Sequence, residues 1–292
     1  MNSKNKELKV TKNSLCINEE NTKMPLNLIG IGLGSKKDIT LKGLEAIKRS
    51  DYIFLDSYTS MLNVENIKEL EELYQKNIII CDRNKIESDD NIILKNCKEN
   101  EVSLLVIGDV FVATTHIDLV LRAKKNDIKV NVINNSSIIT AIGITGLSLY
   151  KFGQVGSIVF PEGNWLPKTP YEVLLKNKSV GLHTLFLLDI KRNEPRLDSE
   201  GSKKHSTQTR FMSIKEALDI LLLIESEEDK GVIKDDTYCV GLARVGSDSE
   251  KIVYGKVKEI KNVDFGPPLH CLIFPSKLHF VEEEALLGFL MK

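Results

Sequence analysis

Five short apolar runs, 26-LNLIGIG-32, 52-YIFLD-56, 77-NIIIC-81, 102-VSLLVIG-108 and 128-IKVNVI-133, constrain the fold of this chain more than any other feature. Each has the length and β-branched content of a buried strand, and between them apolar residues recur at helical spacing near 40–50, 64–76, 90–99 and 114–126. Strict alternation of strand and helix predicts a parallel sheet with right-handed crossovers. In such a sheet every strand ends at the same edge, and open α/β sheets bind their ligands there. The turns after these strands are therefore the places to look for function.

A predicted helix over 136–150 leads into a second half with a different rhythm. Strands are expected at 155–160, 182–190, 237–245, 250–260 and 269–274, and helices near 170–179, 213–228 and 281–291. The strands flanking 246-GSDS-249 read as an antiparallel hairpin, so the second sheet is expected to be mixed. The division that follows is a 1–23 tail without regular structure, an N-terminal α/β domain over 24–134 and a C-terminal α/β domain over 135–292. The segment 191–210 is charged and nearly free of apolar residues, which predicts a mobile or partner-binding loop.

Three composition facts narrow the function. With 40 basic and 41 acidic residues there is no global field to attract nucleic acid or an anionic membrane. No apolar run reaches the roughly 20 residues of a membrane span and no leader pattern precedes Met24, which predicts a cytoplasmic protein. The five cysteines lack paired spacing, so neither a disulfide framework nor a metal site is expected.

Three turns on the predicted ligand edge carry polar or glycine-rich chemistry. In 30-GIGLG-34, glycines allow backbone N–H groups to approach a ligand, and Asp56 at the end of the second strand is placed as the ribose-binding acid of a nicotinamide site. The spacing GxGxG differs from GxGxxG, and a plain strand exit explains it equally well. In 108-GDVFVATTH-116, Asp109 can accept hydrogen bonds, Thr114 or Thr115 can cap the next helix, and His116 is a candidate base. In 134-NNSSI-138, Ser136 or Ser137 fits a helix N-cap. Together the three turns outline a pocket.

The stretches 28-LIGIGLGSKKDITLKGLEAIKRSD-51, 55-LDSYTS-60, 108-GDVFVATTHIDLVLRA-123, 134-NNSSI-138, 145-TGLSLYKFG-153, 183-HTLFLLDIK-191, 240-VGLARVG-246 and 266-GPPLHCLI-273 have a further meaning. In this order they make the chain resemble the diphthine synthases, methyltransferases of the tetrapyrrole-methylase-like class. The resemblance implies a two-domain fold with S-adenosyl-L-methionine in the cleft between the domains. It implies repeated methylation of the amine of a 3-amino-3-carboxypropyl group on a histidine of translation elongation factor 2 to a trimethylammonium, with methylation of the carboxylate as well in eukaryotic members. It also implies a homodimer. Motif by motif, the cofactor contacts fall on Leu33, Asp109, Val112, Ser137, Ile138, Leu188, Val245 and His270. Val110 stands where the family carries proline and Val112 where many eukaryotic members carry glycine; loss of the proline predicts a looser turn.

Methyl transfer from a sulfonium needs orientation and a dry site more than it needs a metal. The accepting amine, with a pKa of roughly 10 by analogy with lysine, must first lose a proton. Water can take it, or Asp109 or His116 can assist. The rival readings are a nicotinamide-dependent oxidoreductase built on the glycine turn and Asp56, a non-catalytic paralogue that only holds the elongation factor, and a tetrapyrrole-type methylase.

Overall fold

The computed structural model describes residues 24–57, 64–88, 91–191, 195–197, 203–205 and 209–291; the predicted tail lies outside them. Strands β1 (Leu26–Gly30), β2 (Tyr52–Asp56), β3 (Ile78–Cys81), β4 (Val102–Val106) and β5 (Val130–Ile133) form one parallel sheet in the order β3-β2-β4-β1-β5. The two central strands, β1 and β4, are buried at every residue and run in register from Leu26 opposite Val102 to Gly30 opposite Val106. Burial of both faces explains why these strands read as continuous apolar runs rather than as alternating ones.

Helices cover both faces. Leu26, Leu28 and Phe54 point to the side packed by α3 (Arg83–Glu87), α4 (Ile92–Asn96) and α5 (His116–Lys125). Ile29, Ile53 and Leu55 point to the side packed by α1 (Leu41–Arg49) and α2 (Val64–Tyr74). The start of α1 is fixed by Thr40, whose Oγ1 accepts from the Gly43 N–H at 3.0 Å.

The second sheet contains β6 (Gly156–Ile158), β7 (Thr184–Leu188), β12 (Tyr238–Ala243), β13 (Lys251–Lys256) and β14 (His270–Phe274), ordered β13-β12-β14-β7-β6. Only β6 and β7 are parallel, so the sheet is mixed, and β12 and β13 make the expected antiparallel hairpin. One face packs on α7 (Thr169–Ser179), α8 (Ile214–Glu228) and α9 (Val257–Ile260), the other on the 138–147 segment and α10 (Phe280–Leu287). Helix α8 buries Ile214, Ala217, Leu218, Leu221 and Ile224, the i, i+3, i+4, i+7 stripe of an amphipathic helix. Its capping box is complete: Ser213 Oγ accepts from the Glu216 N–H at 3.2 Å, and Glu216 Oε2 accepts from the Ser213 N–H at 2.8 Å.

Between β7 and β12, the described part of the 191–210 segment forms two short antiparallel ribbons. They pair β8 (Ile190–Lys191) with β11 (Arg210–Phe211), and β9 (Pro195–Leu197) with β10 (Lys203–His205). The remainder of that segment lies outside the described residues.

Two expectations are corrected. The stretch 136–150 is not one helix but α6 (Ile138–Ala141), a 3-10 turn over Ile142–Thr145 and another over Leu149–Lys151. Gly146 breaks it, because φ there is +80° and a Cβ would lie 2.2 Å from that of Ala285. The strand expected over 250–260 ends at Lys256, where Glu259 Oε2 accepts from the Lys256 N–H and starts α9.

The 136–151 segment is held in place by a buried carboxylate. Glu282 on α10 accepts from the Ser148 N–H at 2.9 Å, from the His279 N–H at 2.8 Å and from Lys151 Nζ. His183, fully buried, completes the group: its Nδ1 accepts from the Ser276 N–H at 2.9 Å, so Nε2 carries the proton and donates to Glu282 Oε1 at 3.2 Å.

Candidate functional site

The glycine turn after β1 and the turn after β4 are bonded to each other. The Gly108 N–H donates to the Gly32 carbonyl at 2.8 Å and the Gly32 N–H returns to the Gly108 carbonyl at 3.3 Å. Both glycines sit near φ +80°, a conformation that costs other residues free energy. Beyond them, Asp38 Oδ2 accepts from the N–H groups of Gly34 (2.6 Å) and Ser35 (3.0 Å), which curls the loop back before α1. On the outer side of this loop Gly32, Leu33, Gly34, Glu69 and Ile107 line a shallow pocket.

Asp109 ties the second turn to the third. Its Oδ1 accepts from the Phe111 N–H at 3.1 Å, and its Oδ2 from the Asn134 side chain and the Asn135 N–H, both at 3.0 Å. Asn135 in turn donates to the carbonyls of Gly30 (3.0 Å) and Asp38 (2.9 Å). One carboxylate and one amide thus lock all three predicted turns into a single edge. The Asp109 carboxylate is 8% exposed and occupied by three protein donors, an arrangement suited to a bracket rather than to a base.

The threonines do not cap α5, contrary to expectation. Thr115 precedes the helix at φ −102°, ψ 10°, outside the extended geometry that capping requires, and its hydroxyl donates to Glu87 at 2.8 Å. Thr114 Oγ1 donates to the Val110 carbonyl at 2.7 Å, and His116 Nδ1 shares that carbonyl at 3.1 Å. His116 is 1% exposed, with Nε2 3.4 Å from Asp56 Oδ2. It is therefore a strut beneath the turn and not a group at the pocket rim. Asp56 has no exposed surface either, so the ribose-binding role of the oxidoreductase reading has no physical access. Val110, in the family's proline position, is fully buried in the core under this turn, and the two bonds to its carbonyl do part of what proline's fixed φ would do.

The remaining candidates lie on one edge of the second sheet. His270 begins β14, opposite Ala243 at the end of β12, and Leu188 ends β7, whose Leu187 pairs with Cys271. Val245 follows β12 and is 7% exposed. Arg244, at φ +48°, fixes this edge by donating to the carbonyls of Ser249 (2.8 Å) and Phe265 (2.7 Å). The two edges touch where a Cβ built on Gly246 would be 3.3 Å from that of Leu33. Leu33 also faces Gly108, and Gly108 lies close to Ser136 and Ser137. Leu33, Asp109, Ser137 and Val245 are thus brought together, with Ile138 next in the chain, and Val112, in the same turn as Asp109, is half-buried.

His270 offers the clearest test of fit for a bound cofactor. Its Nε2 lies 3.1 Å from the carbonyls of Gly266 and Pro267 and must carry the proton that both accept. Burial keeps the ring below its ordinary imidazole pKa, against the pull of those two carbonyls, so it is neutral and Nδ1 is an acceptor. That Nδ1 is buried with no hydrogen-bond partner among the described residues, which is the signature of an atom that awaits a ligand O–H or N–H.

Comparisons with known proteins show what the chain as a whole is similar to. The family profile "Tetrapyrrole (Corrin/Porphyrin) Methylases" matches residues 25–261. The diphthine methyl ester synthase of Dictyostelium discoideum is 45% identical over 271 residues, 92% of this chain and 99% of its own length. The diphthine synthase of Methanocaldococcus jannaschii is 44% identical over 261 residues, 89% of this chain and 97% of its own length. A crystal structure from Entamoeba histolytica superposes with a TM-score of 0.81 at 41% identity, over 92% of this chain and 99% of that one.

Proposed function

The chain belongs to the tetrapyrrole methylase family and is a methyltransferase of diphthamide biosynthesis, and from that premise we propose that it methylates the 3-amino-3-carboxypropyl-histidine of elongation factor 2, in the cytoplasm, with S-adenosyl-L-methionine as donor. The observation that carries this reading is the meeting of the two sheet edges at Leu33 and Gly246, with the acceptor-only Nδ1 of His270 on the second edge. Leu33, Ser137, Ile138, Leu188 and Val245 would enclose the cofactor's apolar surface, the Asp109–Val112 turn would present backbone to it, and His270 would accept one hydrogen bond.

When bound, the cofactor supplies an already activated sulfonium methyl. The chain's part is to hold the acceptor amine in line and to exclude water. Because Asp109 is committed to three donors and His116 is buried, we assign proton removal from the amine to water. The rate of single-turnover methyl transfer should then climb with pH toward the amine's pKa, roughly 10, without a second, lower inflection. Identity to the relative named diphthine methyl ester synthase and to the one named diphthine synthase is equal within a percentage point, so the number of transfers must be measured. Intact-mass spectrometry of elongation factor 2 bearing the aminocarboxypropyl group, incubated with the protein and S-adenosyl-L-methionine, should show successive methyl-sized increments. We expect a final increment that mild base removes, as an ester requires; absence of any increment would exclude the reading.

The homodimer rests on a separate observation. Tyr150 is 98% exposed, Phe280 70% and Leu287 61%, on two segments joined through the Ser148–Glu282 bond. Large apolar side chains left exposed on segments tied together in this way suit an association site. Sedimentation should give a dimer that Tyr150→Glu converts to a monomer; a monomeric parent protein would sink this assignment.

A further inference from the structure

The sequence has a single tryptophan, and the fold displays it. Trp165 stands 59% exposed at the foot of a turn whose ends are closed by a reciprocal pair of backbone bonds, Glu162 N–H to the Trp165 carbonyl at 3.0 Å and Trp165 N–H to the Glu162 carbonyl at 2.8 Å. Both limbs of this turn are anchored, since Phe160 is buried in the core of the second sheet and Leu166 packs against the same core. The turn is therefore anchored at both ends and leaves the indole exposed. Leaving so large an apolar group in water forgoes the burial that an aromatic side chain otherwise gains, while tryptophan and arginine are the residues over-represented where protein interfaces carry their binding energy.

The turn is continuous with the edge described above. Asp189, the residue after Leu188, accepts from the Phe160 N–H at 2.9 Å through Oδ2, and its own N–H donates to the Ile158 carbonyl at 3.1 Å. Arg210 stacks on the Phe160 ring at 3.9 Å, and Lys191 pairs with Glu162. Arg210 is held by Glu216 at 2.8 Å in an exposed pair, which exchanges partners at little cost, whereas Lys191 is only 19% exposed beside Glu162. An exposed tryptophan on an anchored turn, with the exchangeable Arg210 and the partly covered Lys191 on the same loop cluster, suits a protein surface with an apolar depression bordered by carboxylates.

We propose that the Glu162–Trp165 turn, with Arg210 and Lys191, is the docking element for the protein acceptor, and that Trp165 is its main anchor. The proposal rests on the methyltransferase reading above and adds to it the surface that the acceptor protein meets. The acceptor must enter where the edges are open, and at Leu33 they are closed against Gly246. Docking beside Leu188 carries the modified histidine past the rim of the second sheet, and this remote contact adds affinity that is equal in the ground and transition states, so it registers in KM for the acceptor and not in kcat.

The test uses the full chain with 5-fluorotryptophan in place of its one tryptophan, which gives a single 19F resonance. Addition of unlabelled acceptor protein should shift or broaden it, whereas S-adenosyl-L-methionine alone should not. In parallel, Trp165→Ala should raise KM for the acceptor protein about tenfold or more and leave kcat and KM for the cofactor unchanged, with Trp165→Phe between the two. An unmoved resonance and an unaltered acceptor KM in an enzyme that still methylates would overturn the docking role and leave the methyltransferase reading intact. A resonance that shifts only with the protein's own concentration would give the surface to a second copy and overturn it too. Failure of the parent protein to methylate the acceptor would remove both.

Discussion

Glu282→Ala should lower stability by about 3–5 kcal/mol, the effect of removing one partner from a buried charged group, and should do so without touching a residue assigned to the site. The carboxylate is 2% exposed and faces the Lys151 ammonium, two backbone N–H groups and the His183 ring. Truncation strands the two N–H groups and the His183 ring, while Lys151, 31% exposed, loses its carboxylate and keeps the Lys277 carbonyl. Urea denaturation of the variant would show a lower midpoint at an unchanged slope, and Glu282→Gln, which keeps an acceptor oxygen, should lose less. A loss under 1 kcal/mol in the alanine variant would mean that the network relaxes to solvent and is not a clamp on the 136–151 segment.

The same cluster gives the stability a pH dependence of definite sign. Burial alone would raise the Glu282 carboxyl, but Lys151, the N–H groups of His279 and Ser148, and His183 hold it far below the usual carboxylate range. A group depressed in the folded state adds stability that is complete above its unfolded value, about 4.3, and drains away as pH falls below it. Burial also holds His183 below its ordinary value, against the opposite pull of Glu282. The unfolded imidazole takes up a proton near pH 6.5 while the folded one resists, so this contribution fades as pH falls below about 6.5. Stability measured from pH 8 downward should be level to about 6.5, decline gently, and then fall steeply below about 4.5. Glu282→Gln should make the steep limb shallower without abolishing it, because Glu216, Glu225 and Glu228 are also held below the ordinary carboxylate value by their hydrogen-bond partners.

Which parts of this molecule could be read from its sequence depended on how far apart the interacting residues lie. The parallel sheet was legible because each strand announces itself locally, and the ligand edge followed from chain direction alone. The stretch 136–150 misled because its apolar spacing is helical, while the contact that forces Gly146 to positive φ comes from Ala285 on a distant helix. Thr114 and Thr115 looked like caps by position, yet the hydroxyl of one turns back four residues and that of the other crosses to Glu87. Asp56 fitted a ribose-binding pattern, but the pattern says nothing of burial, and in the fold it faces His116. Glu282 carried no signal at all, since Lys151 is 131 positions away and a glutamate near a helix start reads as a favourable dipole partner.

Gly34→Ala is expected to weaken S-adenosyl-L-methionine binding at least tenfold, on the order of 1.4 kcal/mol or more, with the fold retained. A Cβ on Gly34 would lie 2.0 Å from the Gly246 carbonyl oxygen and 3.2 Å from Asp38 Oδ2. The first contact is with backbone, so no rotamer change relieves it and the two loops must part. Gly34 belongs to the turn after β1 and Gly246 to the turn after β12, which means that one methyl group pushes against the junction of the two sheet edges rather than against either core. Leu33 moves with Gly34, and Leu33 is the side chain that lies between Gly108 and Gly246. The comparison variant is Gly143→Ala, where the nearest atom to the new Cβ is 3.8 Å away and no change is expected. Calorimetric titration of both variants with S-adenosyl-L-methionine, beside a denaturation curve for each, separates a damaged site from a damaged fold. Parent-like affinity in Gly34→Ala would show that the cofactor does not depend on the contact between the two edges, and the assignment of Leu33 and Val245 to one site would have to be given up.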